Sequence, residues 1–359
     1  MILLGALFIS AQLQAQSNVT VRVMAANITS GTDQSYEAEG IRIFQGLKQD
    51  IVAIQEFQYG ASTASNDLRT LVNTAFGNEF SFYCEPNNGI PNGIVSRYPI
   101  LASGSWDDGD NNITDRGFAW ARIDLPGTND LYAVSVHLKA SSGAANETRR
   151  SNQVVVLKSL ILANFPTNAW VIVAGDFNLY SETEAAIVTL KTFLSDSPVP
   201  ADQNDEQDTN AGRSERYDRV LPSFSMTNLL VPVVMPSRTY TNGLVFDSRV
   251  YTPLTDVPPV LSTDSGASGM QHMGVVKDFL ITYYVTNGVT VPAPYLVMAS
   301  TNVISWQGVS NATYSVQAST NLANTNWLTI GTATSTSTNF SYTNASPSAV
   351  QRFFRVTYP

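Results

Sequence analysis

Apolar positions along the first three quarters of the chain follow the spacings of strands and helices in turn, and the clearest strand is a fully apolar one. Val171–Ala174, within WVIVAGDFNLY, is apolar at every position and β-branched at most of them, which predicts a strand buried on both faces. Asp176 and Asn178 follow two residues apart, so on an extended backbone both side chains point the same way. Such polar pairs lie at ligand sites in α/β folds but are also common in turns, and this motif alone favours neither interpretation.

A second polar pair is predicted by a strand–helix–strand unit. Residues 19–26 alternate as a strand, 37–48 carry helical spacing, and 51–54 form another apolar strand. Such a unit normally makes a right-handed parallel crossover. Asn27 and Glu56 would then lie at the same end of neighbouring strands, where oxygen ligands suit a hard divalent cation. Taken alone, Glu56 is better explained as a solvated acid at a strand end.

The remaining elements continue the alternation and predict an α/β fold. Helices are predicted over residues 66–76, 144–165 and 182–194, and strands over 79–84, 92–101, 117–125, 131–138, 216–222 and 271–281. The segment 196–216 is acidic and polar, which predicts a solvated loop; a calcium site is a weaker alternative there.

The chain has two histidines, and both are predicted at strand ends. His137 ends one apolar strand and His272 begins another. One such histidine is usually structural, but two of them, with strand-end Asp and Asn residues, favour a functional role. Arg97 and Arg116 also lie beside strand ends, where paired guanidinium groups can hold a phosphate, although surface ion pairing explains either one alone.

Composition and charge narrow the class of protein. The chain has 359 residues, enough for a large domain and a small one, and its net charge of -9 argues against a wholly basic nucleic-acid-binding surface. Cys84 is the single cysteine, so no intrachain disulfide forms, and we expect it to be a buried apolar side chain. Residues 1–16 are apolar, then small and polar, which predicts a secretory signal peptide and hence a secreted or periplasmic protein, although the segment lacks Lys and Arg.

The last part of the chain differs in composition. From about Val291 it is rich in Ser, Thr, Asn and Ala, with prolines that predict a linker over residues 288–294. Short alternating strands follow, which predicts a small β-sandwich over 295–359. The segment resembles fibronectin-type-III-like modules of exported enzymes. Its expected role is spacing or weak attachment to a surface or polymer.

The polar motifs of residues 17–287 occur in the order of a known superfamily. They are Asn27, Gln55-Glu56, Ser96-Arg97-Tyr98-Pro99, Arg116, His137-Leu138, Gly175-Asp176-Phe177-Asn178, Tyr217-Asp218-Arg219 and Gln271-His272. The chain thereby resembles the endonuclease/exonuclease/phosphatase superfamily, and in particular its deoxyribonuclease branch through YDRV and His137. The resemblance implies a four-layer α/β sandwich of two mixed sheets with outer helices.

The resemblance also implies a role for each matched residue. Glu56 would bind Mg²⁺ or Mn²⁺ beside Asn27, with Ca²⁺ as an alternative ion. His272, oriented by Asp218, would be the general base for the attacking water, and His137 the general acid. The remaining matched residues would position the nucleophile or stabilise phosphoryl charge: Asp176, Asn178 and Arg116. Hydrolysis of a phosphodiester needs these functions on chemical grounds as well.

One matched position departs from the superfamily. Gln271 stands where the family usually has an Asp that binds metal. A carboxamide oxygen can coordinate a hard cation, but without charge. We therefore expect weaker metal binding, or substitution by Asp264, seven residues earlier; loss of activity is the less favoured alternative.

Three functions remain open from the sequence. The favoured one is an exported, metal-dependent phosphodiesterase acting on DNA or RNA. A second keeps the chemistry but changes the substrate to a sphingomyelin-like phospholipid or a soluble phosphoester, without stable membrane insertion. The third is a non-catalytic binding protein in which Gln271 reflects lost activity and the C-terminal segment does the binding.

Overall fold

The computed structural model describes most of the chain. The described residues are 14–31, 34–60, 62–86, 89–109, 116–127, 129–286, 296–298, 302–308, 313–320, 327–344 and 353–357. Asn18–Tyr283 forms one compact unit, and the described residues 14–17 and those after Tyr283 belong to a second. Residues 1–13 of the predicted signal peptide and the predicted linker prolines lie outside the described residues.

The first unit contains a seven-stranded and a five-stranded sheet. Its strands are β1 (Gln14–Ala26), β2 (Ile51–Ile54), β3 (Ser81–Cys84), β4 (Gly93–Ser96), β5 (Ile100–Trp106), β6 (Phe118–Ile123), β7 (Leu131–His137), β8 (Trp170–Asp176), β9 (Asp218–Pro222), β10 (Leu230–Val231), β11 (Val233–Val234), β12 (Thr239–Tyr240), β13 (Leu244–Phe246) and β14 (Gly274–Thr286). The larger sheet runs β10-β14-β1-β2-β4-β3, with β13 also on β14, and the smaller runs β5-β6-β7-β8-β9. β11 and β12 form a separate hairpin.

Both large sheets are mixed, and each contains one parallel pair of functional interest. β1 and β2 are parallel, as the predicted crossover requires, and so are β7 and β8; the pairs β2–β4 and β8–β9 are antiparallel. The carboxyl ends of two parallel strands therefore lie together in each sheet. This arrangement brings strand-end side chains from distant parts of the sequence to one edge.

Helices cover the outer face of each sheet. They are α1 (Ala38–Leu47), α2 (Ser65–Ala75), α3 (Ala144–Asn164) and α4 (Ala185–Leu190). In β8, Val171 and Val173 pack in the cluster that contains α3 and α4 side chains, while Ile172 and Ala174 pack in the cluster shared with the other sheet. The predicted full burial of this strand and the four-layer α/β fold are thus confirmed.

The second unit is all β in its described residues. Its strands are β15 (Val297–Met298), β16 (Val303–Gln307), β17 (Thr313–Ser319), β18 (Leu328–Thr334), β19 (Asn339–Thr343) and β20 (Phe353–Thr357). They form two three-stranded antiparallel sheets, β15-β16-β19 and β18-β17-β20. Trp306 and Phe340 of one sheet pack with Tyr314 and Val316 of the other. A separate small C-terminal β segment is therefore present.

Several element predictions need correction. The strand predicted over residues 92–101 is two strands, β4 and β5, in different sheets, because the chain crosses between sheets at Pro99. The helix predicted over 182–194 is the shorter α4. None of the short strands β10–β13 was predicted, since runs of two or three residues carry no measurable period. No helix among the described residues is long and apolar enough to cross a membrane.

Candidate active site

The site forms where the carboxyl ends of the parallel strand pairs approach each other. Asn27 directly follows β1, and Glu56 lies two residues beyond β2. His137 and Asp176 are the last residues of β7 and β8 and pair in register, while Asp218 opens β9 directly opposite Asp176. Strand register alone therefore places three ionisable side chains side by side.

Asp176 is the centre of this group and accepts bonds from all sides. Its Oδ2 lies 3.3 Å from His137 Nε2 and 3.5 Å from His272 Nε2, and Asn27 Nδ2 donates to the same oxygen at 3.2 Å. Its Oδ1 accepts from the Asn178 backbone N–H at 2.8 Å. The carboxylate is 1% exposed, so these donors replace water as its solvation. The two imidazoles that the sequence suggested are thus brought to one oxygen.

Asp218 holds His272 from the opposite side. Its Oδ2 lies 2.8 Å from His272 Nδ1 and accepts from Thr209 Oγ1 at the same distance. The Thr209 hydroxyl oxygen also accepts from the Asp218 backbone N–H, so the carboxylate cannot rotate without breaking several bonds. The imidazole of His272 therefore stands between two buried carboxylates.

Glu56 joins the same group through Asn27. The Asn27 amide donates to Glu56 Oε1 at 3.4 Å as well as to Asp176, and Thr29 Oγ1 donates to Glu56 Oε2 at 2.9 Å. Glu56 has φ of 53° and Asn178 has φ of 49°, a left-handed conformation that costs most residues free energy. The turns after β2 and β8 thus aim these side chains into the site at some cost in backbone energy.

The electrostatics follow from burial and close opposite charges. Burial opposes the charged form of His272, but the carboxylates of Asp218 and Asp176 outweigh it and raise the His272 pKa to about 9. Burial also opposes ionisation of Asp176, yet the positive charge of His272 and the hydrogen bond from His137 hold the pKa of Asp176 below its ordinary value. In the metal-free protein His272 is therefore an imidazolium between carboxylates at neutral pH.

His137 has a different partner, Arg116. The Arg116 Nη1 lies 2.9 Å from His137 Nδ1. A guanidinium has no acceptor, so Nδ1 accepts and the ring proton sits on Nε2, which faces Asp176. The bond fixes His137 as a neutral imidazole that donates from Nε2. To act as an acid that gives up its proton, His137 would first have to carry a proton on Nδ1 as well. That proton would displace the Arg116 guanidinium, which cannot accept a hydrogen bond.

The donor set fits a divalent cation. Among the described residues, one group of acidic and histidine side chains has ligand atoms that all lie within 4.8 Å of one another. The group consists of Asp176, Asp218 and His272. Asn27 Oδ1 and Asp218 Oδ1 are buried oxygens without a protein hydrogen-bond partner. Carboxylate and carboxamide oxygens are the ligands that hard cations prefer. The residues present therefore suit Mg²⁺-like ions.

Other predicted site residues lie outside this group. Both oxygens of the buried Asp264 bond Arg42 Nε, at 3.2 and 3.0 Å, and one also accepts from the Leu261 backbone N–H, so Asp264 is not a substitute metal ligand in this geometry. The Gln271 side chain is exposed. Arg97 pairs with Asp50 at 2.8 Å, at the opposite end of β2. These three positions do not contribute to the buried cluster.

The segment predicted as a solvated loop is more tightly held than expected. Arg213 bonds Asp202 at 3.0 Å and Asp247 at 2.8 Å, and Thr209 is fully buried beside Asp218. Asn210 pairs by a backbone bridge with His272. The loop therefore supports the buried cluster that contains Asp218 and His272, which its acidic composition did not predict.

The sequence profile described as "Endonuclease/Exonuclease/phosphatase family" matches residues 34–239. No curated protein sequence matches the chain significantly.

Three solved structures are similar to this chain at low sequence identity and at TM-scores below 0.5. An endonuclease/exonuclease/phosphatase from Beutenbergia cavernae is 15% identical, with 95% of this chain and 100% of that chain covered and a TM-score of 0.49. The human Nocturnin catalytic domain with bound sulfate is 17% identical, with coverage of 76% and 98% and a TM-score of 0.49. D. rerio TDP2 complexed with single-strand DNA product is 18% identical, with coverage of 72% and 98% and a TM-score of 0.49.

Proposed function

Because this chain belongs to the endonuclease/exonuclease/phosphatase family, and is accordingly a metal-dependent phosphodiesterase, we propose that it is an exported nuclease that hydrolyses phosphodiester bonds of DNA or RNA. The observation that carries the proposal is the Asp176 carboxylate, which is shared by two imidazoles while Asp218 holds one of them from behind. This arrangement offers a water-activating group and a phosphate-binding donor on one buried surface.

His272 is the proposed general base. Its Nε2 points into the site, because Nδ1 is occupied by Asp218. A protonated imidazole cannot accept a proton, so hydrolysis requires the neutral form of His272. Once His272 is neutral, the Asp218 bond fixes the proton on Nδ1 and leaves Nε2 as the acceptor.

His137 and Asn178 are the proposed donors to the phosphate. The Arg116 bond leaves the hydrogen of His137 on Nε2, where it can donate to a phosphoryl or leaving oxygen. The Asn178 amide is held by the Leu138 carbonyl at 3.1 Å, which fixes its position beside Asp176. This modifies the expected role of His137, which becomes a hydrogen-bond donor rather than an acid that gives up its proton.

Glu56, Asp176 and the Asn27 carboxamide are the proposed metal-holding residues, with Mg²⁺ or Mn²⁺ as the ion. A bound divalent cation would polarise a phosphoryl oxygen and offset the carboxylate charge that favours the imidazolium of His272. The Oδ2 of Asp218 is assigned to His272, whose ring it already bonds, whereas its Oδ1, which has no protein hydrogen-bond partner, stays available to the ion.

Export and surface attachment complete the proposal. The apolar residues at the start of the chain support a cleaved signal peptide. The packed C-terminal β unit supports a fibronectin-type-III-like module that attaches the enzyme to a surface or polymer.

The test measures whether the purified protein hydrolyses DNA, RNA, sphingomyelin and bis-p-nitrophenyl phosphate in the presence of Mg²⁺ or Mn²⁺. The same assays with EDTA are the control. We expect cleavage of nucleic acid that EDTA abolishes and that His272→Ala lowers by roughly a thousandfold or more. Preference for sphingomyelin would replace the nuclease proposal with a lipid phosphodiesterase. Full activity in both His272→Ala and His137→Ala would overturn the mechanism.

A further inference from the structure

Two tyrosines beside the catalytic group have no role in the chemistry described above. Tyr217 directly precedes Asp218, and its ring centroid lies 5.9 Å from that of His272. Tyr180, two residues after Asn178, lies 5.1 Å from Tyr217 at an interplanar angle of 59°. Both tyrosines are only partly buried, so part of their surface is available next to His272.

We call Tyr180 and Tyr217 together the platform. Neighbouring backbone groups and buried side chains hold both residues in place. The Tyr217 carbonyl accepts from the Phe177 N–H at 2.8 Å. The Tyr180 N–H donates to Glu184 Oε1 at 2.8 Å, and the guanidinium of fully buried Arg150 lies 5.3 Å from the Tyr180 ring centroid. Arg150 is itself fixed by two bonds to Glu184. A ligand that stacks on these rings would therefore lose little free energy in ordering them.

The chemistry of the neighbouring site decides what such a ligand is. A phosphodiester at Asp176 and His272 carries a sugar on each side, and in nucleic acid each sugar carries a flat base. Partly exposed aromatic rings bind bases face to face without regard to sequence. A base inside a duplex has both faces covered by its neighbours, whereas a base in a single strand or at a strand end can turn its face to a protein.

We propose that Tyr180 and Tyr217 form a stacking platform for an unpaired base next to the cleaved bond, which makes single-stranded or strand-end nucleic acid the substrate. The inference rests on the proposed phosphodiesterase function of the same site. Phospholipids and base-free phosphoesters would gain nothing from the platform.

The test compares two single-stranded oligomers of equal length, one of thymidine nucleotides and one of base-free tetrahydrofuran nucleotides, together with a thymidine–adenine duplex. The measured quantity is the ratio of kcat/KM on the thymidine strand to kcat/KM on the base-free strand. We expect Tyr217→Ala and Tyr180→Ala each to lower this ratio roughly tenfold, as expected for loss of a base–aromatic stack, and Tyr217→Phe to keep it. The duplex should be the poorer substrate of the wild-type enzyme.

Tyr98→Ala is the matched control. Tyr98 is another partly buried tyrosine that contacts an arginine, Arg97, at 5.3 Å from its ring centroid. It lies beyond Ser96, which pairs with Ile51 at the end of β2 far from Glu56. We expect Tyr98→Ala to leave the ratio at its wild-type value.

The outcomes separate this inference from the proposed function. Equal loss of kcat/KM on both strands in the alanine variants would show that the tyrosines only support the fold, and would overturn the platform while leaving hydrolysis intact. A wild-type preference for duplex would also overturn it. A wild-type enzyme that cleaves neither strand would overturn the platform, and one that also cleaves neither the duplex nor RNA would overturn the nuclease proposal as well.

Discussion

Gly175 is the residue whose identity the site constrains most tightly. It precedes Asp176 with φ of 138°, and an added Cβ would lie 2.1 Å from the Val136 carbonyl oxygen and 2.6 Å from Gln55 Nε2. Only glycine therefore allows β8 to lie this close both to its neighbour β7 and to Gln55, which follows β2 of the other sheet.

Gly175→Ala should lower the free energy of unfolding by about 3 kcal/mol or more, because it combines a backbone clash with a strained φ. Urea unfolding followed by circular dichroism measures this. Gly212→Ala is the control, since an added Cβ there would meet nothing nearer than 3.9 Å. Equal stability of the two variants would show that β8 can shift away from Val136.

The titration of His272 is a second prediction at this scale. In the metal-free protein its pKa is raised to about 9 by Asp218 and Asp176 against the effect of burial. Asp218→Asn should lower the His272 pKa, and added Mg²⁺ should do the same, since both reduce the negative charge around the ring. The chain has two histidines, so their two imidazole signals can be followed directly by NMR. A His272 pKa near 6.5 without metal would contradict the geometry.

The same shift predicts how stability depends on pH. A folded-state pKa of about 9, above the unfolded value of about 6.5, means that protonated His272 stabilises the fold below about pH 6.5 and that this stabilisation is lost as pH rises through 9. In EDTA, the wild-type free energy of unfolding should therefore fall over this interval. His272→Asn should show a smaller fall, measured by urea unfolding at each pH.

The sequence was informative about individual residues where a side chain follows a buried strand. Asn27, Glu56, His137 and Asp176 all do so, and the structure brings all four together. It was uninformative about Thr209, which lies in an irregular acidic segment whose fold depends on Arg213 and other distant partners. Asp264 was expected to replace a metal ligand only because it lies seven residues before Gln271. Its carboxylate pairs with Arg42 instead.

At the scale of elements, one buried ion pair adds to the apolar contact of α3 with α4. Arg150, fully buried on α3, bonds both oxygens of Glu184 at the start of α4 and donates to the carbonyls of Lys139 and Ser141. Glu184 in turn accepts from the Tyr180 N–H. The pair thus connects two helices to the turn that carries Asn178.

Arg150→Met should lower the free energy of unfolding by about 3–5 kcal/mol, because it leaves a buried carboxylate without its partner. Chemical denaturation of the purified variant measures the loss. Lys191→Met is the control, since Lys191 and Glu182 form an exposed pair at 3.3 Å of the kind that contributes about 0–1 kcal/mol. If the Arg150 variant lost no more than the control, the pair would not hold α4.

Element predictions succeeded where a period was long enough to measure. The predicted helix of residues 144–165 corresponds to α3, and the apolar runs near residues 51 and 171 are β2 and β8. They failed over residues 223–270, where two- and three-residue strands and 3₁₀ turns are fixed by tertiary contacts rather than by pattern. The strand predicted over residues 92–101 was also wrong, because the sequence does not show that the chain leaves one sheet at Pro99 to enter the other.

At the scale of the whole molecule, the two compact units divide the chain near residue 283. All the residues of the buried cluster around Asp176 lie in the first unit. A chain ending after Thr286 should therefore fold and keep its phosphodiesterase activity within about twofold, as expected of an independent domain. The assay is hydrolysis of bis-p-nitrophenyl phosphate with Mn²⁺, and a loss of activity with unchanged circular dichroism would show that the second unit contributes to the site.

The central position of the first strand has a consequence for biosynthesis. β1 lies between β2 and β14 in the seven-stranded sheet, and Arg22 on β1 bonds Asp278 on β14 at 2.9 and 2.8 Å. A nascent chain emerging from the ribosome thus exposes one unpaired edge of β1 until more than 250 residues have followed. Ribosome-stalled chains ending before Gly274 should accordingly be protease-sensitive and depend on chaperones, and resistance should appear only after β14 has emerged.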